Sequence, residues 1–581
     1  MKSPKSKVQS PNLAENIILS AIEKTPVNEL DLNVLKRAFT LADKTKIALP
    51  TKTELLSAYH TLLKKQRIAP NKKLEKLLTR RAVRTLSGVT IVTSLVKPYP
   101  CPGECVYCPL DERMPKSYLA EEPAAMRALT LQFDPFDQMA KRIEALENNG
   151  HPTDKIELII KGGTWNSYAL QYQYWFILES FRAANEVGKR KSPLEGGEGD
   201  VGKRRTSPNP TRVGSPSSRR ELTERAPLAE LKKELFHQQK LNEKAKHRII
   251  GLTLETRPDC VNKHTIWQMR EMGCTRLELG IQHTENSILA LTKRGHTVEQ
   301  AKTGTELARN YGLKVDFHLM PQLPGSTSEM DLKMLETIFT DPGYKPDMIK
   351  IYPCTVVKGS ELYDLFMQGK YHAYSVRELI DILKTFKTHI PRYARVSRLI
   401  RDIPGQFIEE GNKVTNLRQV IKFEMDKEGL KCNCLRCREV GHVNITKIKD
   451  LTPVLFVDKY ETQGGTEYFL SFEDKERQVV FAFCRLRTVT APVIHPNKKL
   501  NSYGAYIREL HTYGQLVRIG KSEKASSQHK GLGKKLMKRA EKITKQNKID
   551  KLAVISGVGV RDYYRKMGFR LEKTYMVKKV K

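Results

Sequence analysis

Apolar and polar positions follow two different rhythms along this chain. In TELLSAYHTLLKKQRI, Leu55, Leu56, Leu62 and Leu63 recur at helical spacing and gather on one face. KKLEKLLTRRAVRT follows and adds six Lys or Arg, so residues 1–85 read as a basic helical region. From 86 to 390 the rhythm shortens to apolar, β-branched runs: TIVTSL at 90–95, IELIIKGG at 156–163, RIIGLTLET at 248–256, RLELGIQ at 276–282, KVDFHLM at 314–320 and MIKIYP at 348–353. The stretches between them mostly suit helices. This alternation predicts an α/β fold, a parallel sheet with helices on its outer face, and six such units make an incomplete, TIM-like barrel.

Two stretches break the order. Residues 188–227, from GKRKSPLEGG to TERAP, hold too few apolar positions for a core and read as a flexible basic insertion. Residues 391–449 form a linker that carries a second cysteine group. From 450 to 581 the pattern resets: VLFVDKY, YFLSFED, QVVFAFCRLR and YGAYIREL predict strands, QHKGLGKKLMKRAEKITKQ begins a basic helix, and KLAVISG and RDYYRKMGF follow. That is a C-terminal α+β domain with its own core.

Charge narrows the partner. With 101 Lys and Arg against 65 Asp and Glu, the net charge of +36 favours a polyanion, although a solvated lysine-rich surface accounts for part of it. The 581 residues exclude a small disulfide scaffold, and six of the ten cysteines fall in two close groups. No apolar run approaches a membrane span and MKSPKSKVQSP lacks a signal-peptide core, so a reducing cytoplasm is expected, with metal binding rather than disulfides.

The first cysteine group, CPGECVYCP, follows the first strand-like run and sets Cys101, Cys105 and Cys108 within eight residues. Four thiolates would close a zinc site, whereas three can hold a four-iron cluster and leave one iron open. Zinc completed by Cys260 or Cys274 is the other reading. IIKGGT then places Lys161, Gly162, Gly163 and Thr164 at a strand end, where missing side chains let the backbone approach a ligand. Glu255, Arg257, Glu278, Gln282, Lys350 and Tyr352 end later runs and are pocket candidates, each with a structural hydrogen bond as its alternative role. KCNCLRC supplies Cys432, Cys434 and Cys437 for a structural zinc, with Cys354 the preferred fourth donor and His442 the second choice. In QHKGLGKKL, the residues Gln528, His529, Lys530, Gly531, Leu532, Gly533 and Lys534 precede a helix and would turn backbone N–H groups toward a pyrophosphate. Tyr563 and Tyr564 follow, a tyrosine being able to protonate a departing thiolate.

CPGECVYCP and IIKGGT resemble the radical S-adenosylmethionine superfamily, and QHKGLGKKL resembles the coenzyme A signature of GNAT acyltransferases. With EEPAAMRA, DPF, LTLETRPD, MPQLPG and RDIP, nearly the whole chain resembles the Elongator catalytic subunit family, of the archaeal or bacterial type that acts without partner subunits. The resemblance implies a [4Fe-4S] cluster on Cys101, Cys105 and Cys108, S-adenosylmethionine at its open iron near Gly162, Gly163, Thr164, Glu255, Glu278 and Gln282, and acetyl-CoA at residues 528–534 and Tyr563. It implies that a 5′-deoxyadenosyl radical takes hydrogen from the acetyl methyl, that the carbon joins C5 of the wobble uridine in a tRNA anticodon stem-loop, and that thioester hydrolysis leaves 5-carboxymethyluridine. Lys161 and Lys350 would orient substrate, Tyr563 or Tyr564 the thioester, and an external electron donor would prime the cluster. Arg80, Arg81, Arg84, Arg395, Arg398 and Arg401 are candidate tRNA contacts. Self-association is left open. Radical-independent acetylation of RNA or protein amines, and a catalytically silent tRNA-binding protein, are the alternatives.

Overall fold

A computed structural model describes residues 11–26, 28–42, 49–80, 85, 87–187, 223–491, 503–513 and 531–580. Helices Pro11–Lys24, Glu29–Ala42, Lys52–Lys64 and Lys72–Leu78 come first. They bury Leu13, Ile17, Leu32, Leu55, Leu62 and Leu74 in a core of their own. The third begins at a capping box in which Thr51 and Glu54 satisfy each other's backbone N–H groups. The predicted insertion at 188–227 falls mostly outside the described residues, as do Arg81 and Arg84.

The central sheet is parallel throughout. Its strands are β1 (Thr90–Leu95), β2 (Lys155–Lys161), β3 (Arg248–Thr256), β4 (Arg276–Gln282), β5 (Lys314–Leu319), β6 (Met348–Ile351) and β7 (Arg395–Arg398), in that spatial order. β1 and β7 do not pair, so the barrel is open. β7 escapes the sequence pattern because RVSR has one apolar residue, Val396, and no run to detect. The sheet therefore continues past the expected boundary at 390.

Period-two alternation divides this sheet into two faces. Ile156, Leu158 and Ile160 of β2, Leu277, Leu279 and Ile281 of β4, and Val315, Phe317 and Leu319 of β5 point outward into the main apolar core. Glu157 and Lys161, Arg276 and Glu278, and Lys314 and Asp316 point inward. The barrel is apolar outside and charged inside.

The second sheet runs β8 (Val454–Thr462), β9 (Gly465–Glu473), β10 (Val480–Val489), β11 (Ala505–Thr512), β12 (Lys551–Val554), β13 (Arg570–Glu572) and β14 (Tyr575–Lys579) in the chain, with spatial order β13-β14-β12-β11-β10-β9-β8. Only β11 and β12 pair in parallel, and helix Leu532–Gln546 lies between them in the chain. This domain closes the amino-terminal end of the barrel. Arg508 donates to Asp347, just before β6, at 2.6 and 2.7 Å, and to the carbonyl of Leu313, just before β5, at 2.8 Å. Tyr575 donates to the carbonyl of Tyr311 at 2.8 Å, and Gly557 lies so close to the backbone of Ile250 that no Cβ would fit. One apolar cluster runs through both domains.

Candidate functional site

The first cysteine loop crosses the carboxyl ends of the barrel strands. Its backbone turns at Cys105, whose carbonyl accepts from the N–H of Cys108 at 3.0 Å. Cys101 Sγ lies 3.6 Å from Thr164 Oγ1, which brings the loop to the glycine-rich end of β2. Gly162 and Gly163 have φ of +125° and +90°, conformations that a side chain would strain, and a Cβ on Gly162 would strike Val96. Behind the loop stand two buried arginines. Arg257 donates to the carbonyl of Arg294 at 2.7 Å and pairs with Asp259, while Arg294 reaches Cys105 Sγ at 3.5 Å and the carbonyl of Gly280 at 2.8 Å. A hydrogen bond from Cys108, with Arg294 alongside, draws the Cys105 thiol down to about 4. Arg294 has no counterpart in the sequence reading, since LTKRGHT shows neither periodicity nor a motif.

These groups line a cavity of about 940 Å³ with Cys101, Cys105, Cys108, Gly163 and Thr164 on one wall and Glu255, Gln282 and Tyr352 on another. The donor set fits an iron-sulfur cluster: three soft thiols, one already favouring the thiolate, with a guanidinium to balance the added negative charge. The three do not gather as a single ion requires, because only Cys432, Cys434 and Cys437 among the described residues lie within 4.8 Å of one another. Gln282, at φ +69°, has a buried Oε1 on the wall of this cavity without a hydrogen-bond partner among the described residues.

Below the thiols lies a layer of charge. Lys161 Nζ is 2.7 Å from Glu278 and 3.3 Å from Glu255; Lys350 Nζ also pairs with Glu278. His318 bridges the same two carboxylates at 3.2 and 3.5 Å, and Tyr118 donates to Glu255 at 3.2 Å. Burial opposes ionisation of Glu278, but Lys161 and Lys350 outweigh it and hold its carboxyl well below the usual range. The two lysines diverge. Burial opposes the charge on Lys161 too, yet Glu255 and Glu278 hold its pKa well above the ordinary value. For Lys350 burial dominates, with Lys161 adding repulsion against the attraction of Glu278, and its pKa falls to about 8. Glu278, expected beside the cofactor, turns its Oε2 to these cations and lines a second cavity, below the one that holds the thiols.

That second cavity, about 480 Å³, lies between the barrel and the second sheet. Lys161, Glu278, Asp316 and Lys350 line its upper part, and His511, Tyr563 and Tyr564 line its lower part. β11 and β12 pair only from Ala505 to Ile507, the N–H of Ile555 makes the last bond to Ile507 at 3.1 Å, and both strands then border the cavity. Gly531, at φ +85°, caps helix Leu532–Gln546 with no side-chain acceptor among the described residues, and the helix start with Lys534 suits an anion. The Tyr563 hydroxyl packs against Gly533, 2.8 Å from where a Cβ would stand. Tyr563 is 39% exposed and Tyr564 only 6%, which leaves Tyr563 the freer to meet a ligand. Gln528, His529 and Lys530 lie outside the described residues.

Cys432, Cys434 and Cys437 form a separate, compact group. A tetrahedral ion with metal–sulfur bonds of about 2.3 Å holds its sulfurs about 3.8 Å apart, and this trio suits that spacing. Lys387 and Arg418 stand near enough to feel the thiolates and to balance the charge of such a site. Cys354 is not among them. It is fully buried with Cys105, Val106, Met320 and Tyr371, in the apolar cluster beside the first cysteine loop. His442 likewise stays outside the trio and faces Glu439 at 3.6 Å. Of the arginines expected to meet RNA, Arg395 pairs with Glu439, Arg401 with Glu122 and Arg398 with Asp402, but Arg398 is half exposed and borders the upper cavity.

Comparison with known proteins follows the same division. The family model of the Radical SAM superfamily matches residues 213–338, that of the Radical SAM C-terminal domain 346–427, and that of the Acetyltransferase (GNAT) domain 524–579. A tRNA uridine(34) acetyltransferase of Methanocaldococcus infernus is 41% identical over 542 residues, spanning 91% of this chain and 92% of that protein. Elongator complex protein 3 of Homo sapiens is 34% identical over 517 residues, 87% of this chain and 86% of that one. The solved structure of the archaeal Methanocaldococcus infernus Elp3 with an N-terminal deletion matches at a TM-score of 0.67 and 38% identity, covering 85% of this chain and 99% of that chain.

Proposed function

The chain belongs to the family of tRNA uridine(34) acetyltransferases and Elongator complex protein 3, and on that premise we propose that it installs an acetyl-derived carboxymethyl group at C5 of the wobble uridine of tRNA. Its radical SAM domain implies a [4Fe-4S] cluster and S-adenosylmethionine, and its GNAT domain implies acetyl-CoA. The observation that carries the reading is the meeting of two unlike sites on one residue: Lys161 borders both the thiol-lined cavity and the cavity of Tyr563 and Tyr564. Amine acetylation needs no thiol loop, and most radical chemistry needs no acyl thioester.

When bound, the cluster with S-adenosylmethionine supplies a 5′-deoxyadenosyl radical that takes hydrogen from the acetyl methyl. Cys101, Cys105 and Cys108 hold the cluster, while Gly162, Gly163 and Thr164 leave room for the methionine part. Lys350 donates to the thioester carbonyl, with Lys161 holding Glu278 in place beside it. Arg398 at the mouth meets an RNA phosphate, and the uridine turns out of its loop to reach the cavity. Tyr563 gives a proton to the departing coenzyme A thiolate as water takes the acyl carbon. An external electron donor primes the turnover. Cys432, Cys434 and Cys437 supply three of the four ligands of a structural zinc that sets the linker against the barrel, the fourth coming from a donor outside the trio.

Anaerobic incubation with acetyl-CoA labelled in its methyl carbon, tRNA, S-adenosylmethionine and reductant tests this. Nucleoside mass spectrometry should find the label at C5 of the wobble uridine, lost when either cofactor is withheld. Label on an amine, formed without S-adenosylmethionine, would instead mean plain acetylation.

A further inference from the structure

Barrels of parallel strands normally fill their interior with layers of branched apolar side chains, and their chemistry stays at the carboxyl-terminal face. This barrel departs from that filling: its inward positions include Glu157, Arg276, Glu278, Lys314, Asp316 and Lys350, charged residues that leave space between them. The upper cavity opens at the carboxyl ends of the strands and the lower one at their amino ends. Both share Ile91, Thr93, Lys161, Arg398 and Arg436 as walls, so they adjoin inside the barrel. Ile91, on the edge strand β1, is 47% exposed because it faces this space rather than the core. Together they make a polar bore from the thiol loop to the second domain.

The lower half of the bore is built to receive a ligand. Asp316 is completely buried, yet both of its carboxylate oxygens lack a hydrogen-bond partner among the described residues; its nearest cation is Lys350, at 3.9 Å. A carboxyl left in that state costs stability unless a ligand completes it. At the opposite end, the parting of β11 and β12, together with Tyr563 at the tip of helix Leu532–Gln546, opens the second domain onto the same space.

We propose that the bore is the acyl-binding site: an acyl thioester held by its carrier at the second domain threads from the amino-terminal end of the barrel, and its acyl end meets Lys350 and Asp316. Lys350 donates to the thioester carbonyl and Asp316 accepts an amide N–H of the carrier arm. The uridine enters from the other face, past the thiol loop, so the two substrates of the proposed reaction reach the radical from opposite ends of one barrel. A reactive methyl carbon delivered this way stays shielded from bulk water. This inference rests on the proposed function for its substrates, while its geometry belongs to the chain alone.

Two measurements test it. The first uses the wild-type protein and a coenzyme A thioester whose short acyl chain carries a diazirine. Irradiation followed by peptide mass spectrometry should place adducts on β5 or β6, residues 314–319 or 348–351. Adducts confined to the surface of the second domain would overturn the proposal, and this readout requires no turnover. The second is Ile91→Trp, which plugs the junction of the cavities. It should still cleave S-adenosylmethionine, with the 5′-deoxyadenosyl radical then taking hydrogen from a donor other than the acyl methyl. Uridine product should fall at least tenfold, and deuterium from methyl-deuterated acetyl-CoA should no longer reach the 5′-deoxyadenosine. Product at the wild-type rate would refute the route. If Ile91→Trp fails to fold, the crosslinking decides. A wild-type protein that crosslinks within the bore but never labels uridine would refute the proposed reaction and leave the acyl site standing.

Discussion

Glu278→Gln tests the charged layer most directly. The substitution keeps the shape of a side chain that is fully buried and removes the charge that Lys161, at 2.7 Å, Lys350 and His318, at 3.2 Å, all face. Breaking a buried pair by deleting one partner costs about 3–5 kcal/mol, because the remaining charge stays desolvated. Here two cations are left, but they are not equal. Lys161 keeps Glu255 at 3.3 Å, whereas Lys350 already sits at about 8 and loses its main support. Its folded pKa therefore drops further below the unfolded value of about 10.4. Between those two values the unfolded chain binds more protons, so stability rises with pH there, and the variant extends that slope to lower pH. The expected cost is about 3–5 kcal/mol at pH 6, shrinking toward pH 9, where Lys350 is already neutral. Urea unfolding followed by tryptophan fluorescence reads this, since Trp165, Trp175 and Trp267 all belong to the barrel domain. Adding Lys350→Met to Glu278→Gln should recover part of the loss. A cost below about 0.5 kcal/mol at pH 6, the range of an ordinary surface change, or the same cost at pH 6 and pH 9, would refute the reasoning.

Further outcomes follow from the same geometry. Uridine product should fall as pH rises through about 8, because the protonated form of Lys350 is the donor; Lys350→Arg should move that limb upward, and an unmoved limb would remove Lys350 from the role. Zinc content by emission spectroscopy should be lost in Cys434→Ala and kept in Cys354→Ala, whereas a fourth ligand at Cys354 would require its loss in both. Arg398→Gln should lower tRNA affinity and reduce the magnitude of the salt slope by about one, measured by titration at several salt concentrations. Arg401→Gln, whose guanidinium holds Glu122 and the carbonyl of Ser117, should lower the melting temperature and leave that slope unchanged.

Local chemistry decided what the sequence alone could show. The cysteine spacings, the glycines of IIKGGT and QHKGLGKKL, and the β-branched runs of six strands each act within a few residues, so they were legible without a fold. β7 was not, because a four-residue strand with one apolar side chain leaves no periodic trace and forms only once β6 offers its edge. Arg294 and Asp316 were not, since a buried charge is defined by partners far along the chain, and Cys354 misled for the same reason: its position after a strand was readable, but the side on which the chain turned was not. The sequence pattern offered Glu278 and Gln282, four residues apart on one strand, as candidates for one pocket. Only closure of the barrel by the second domain, through contacts such as that of Arg508 with Asp347, divided the pair between two cavities, because enclosure is a property of all the strands together and of none by itself.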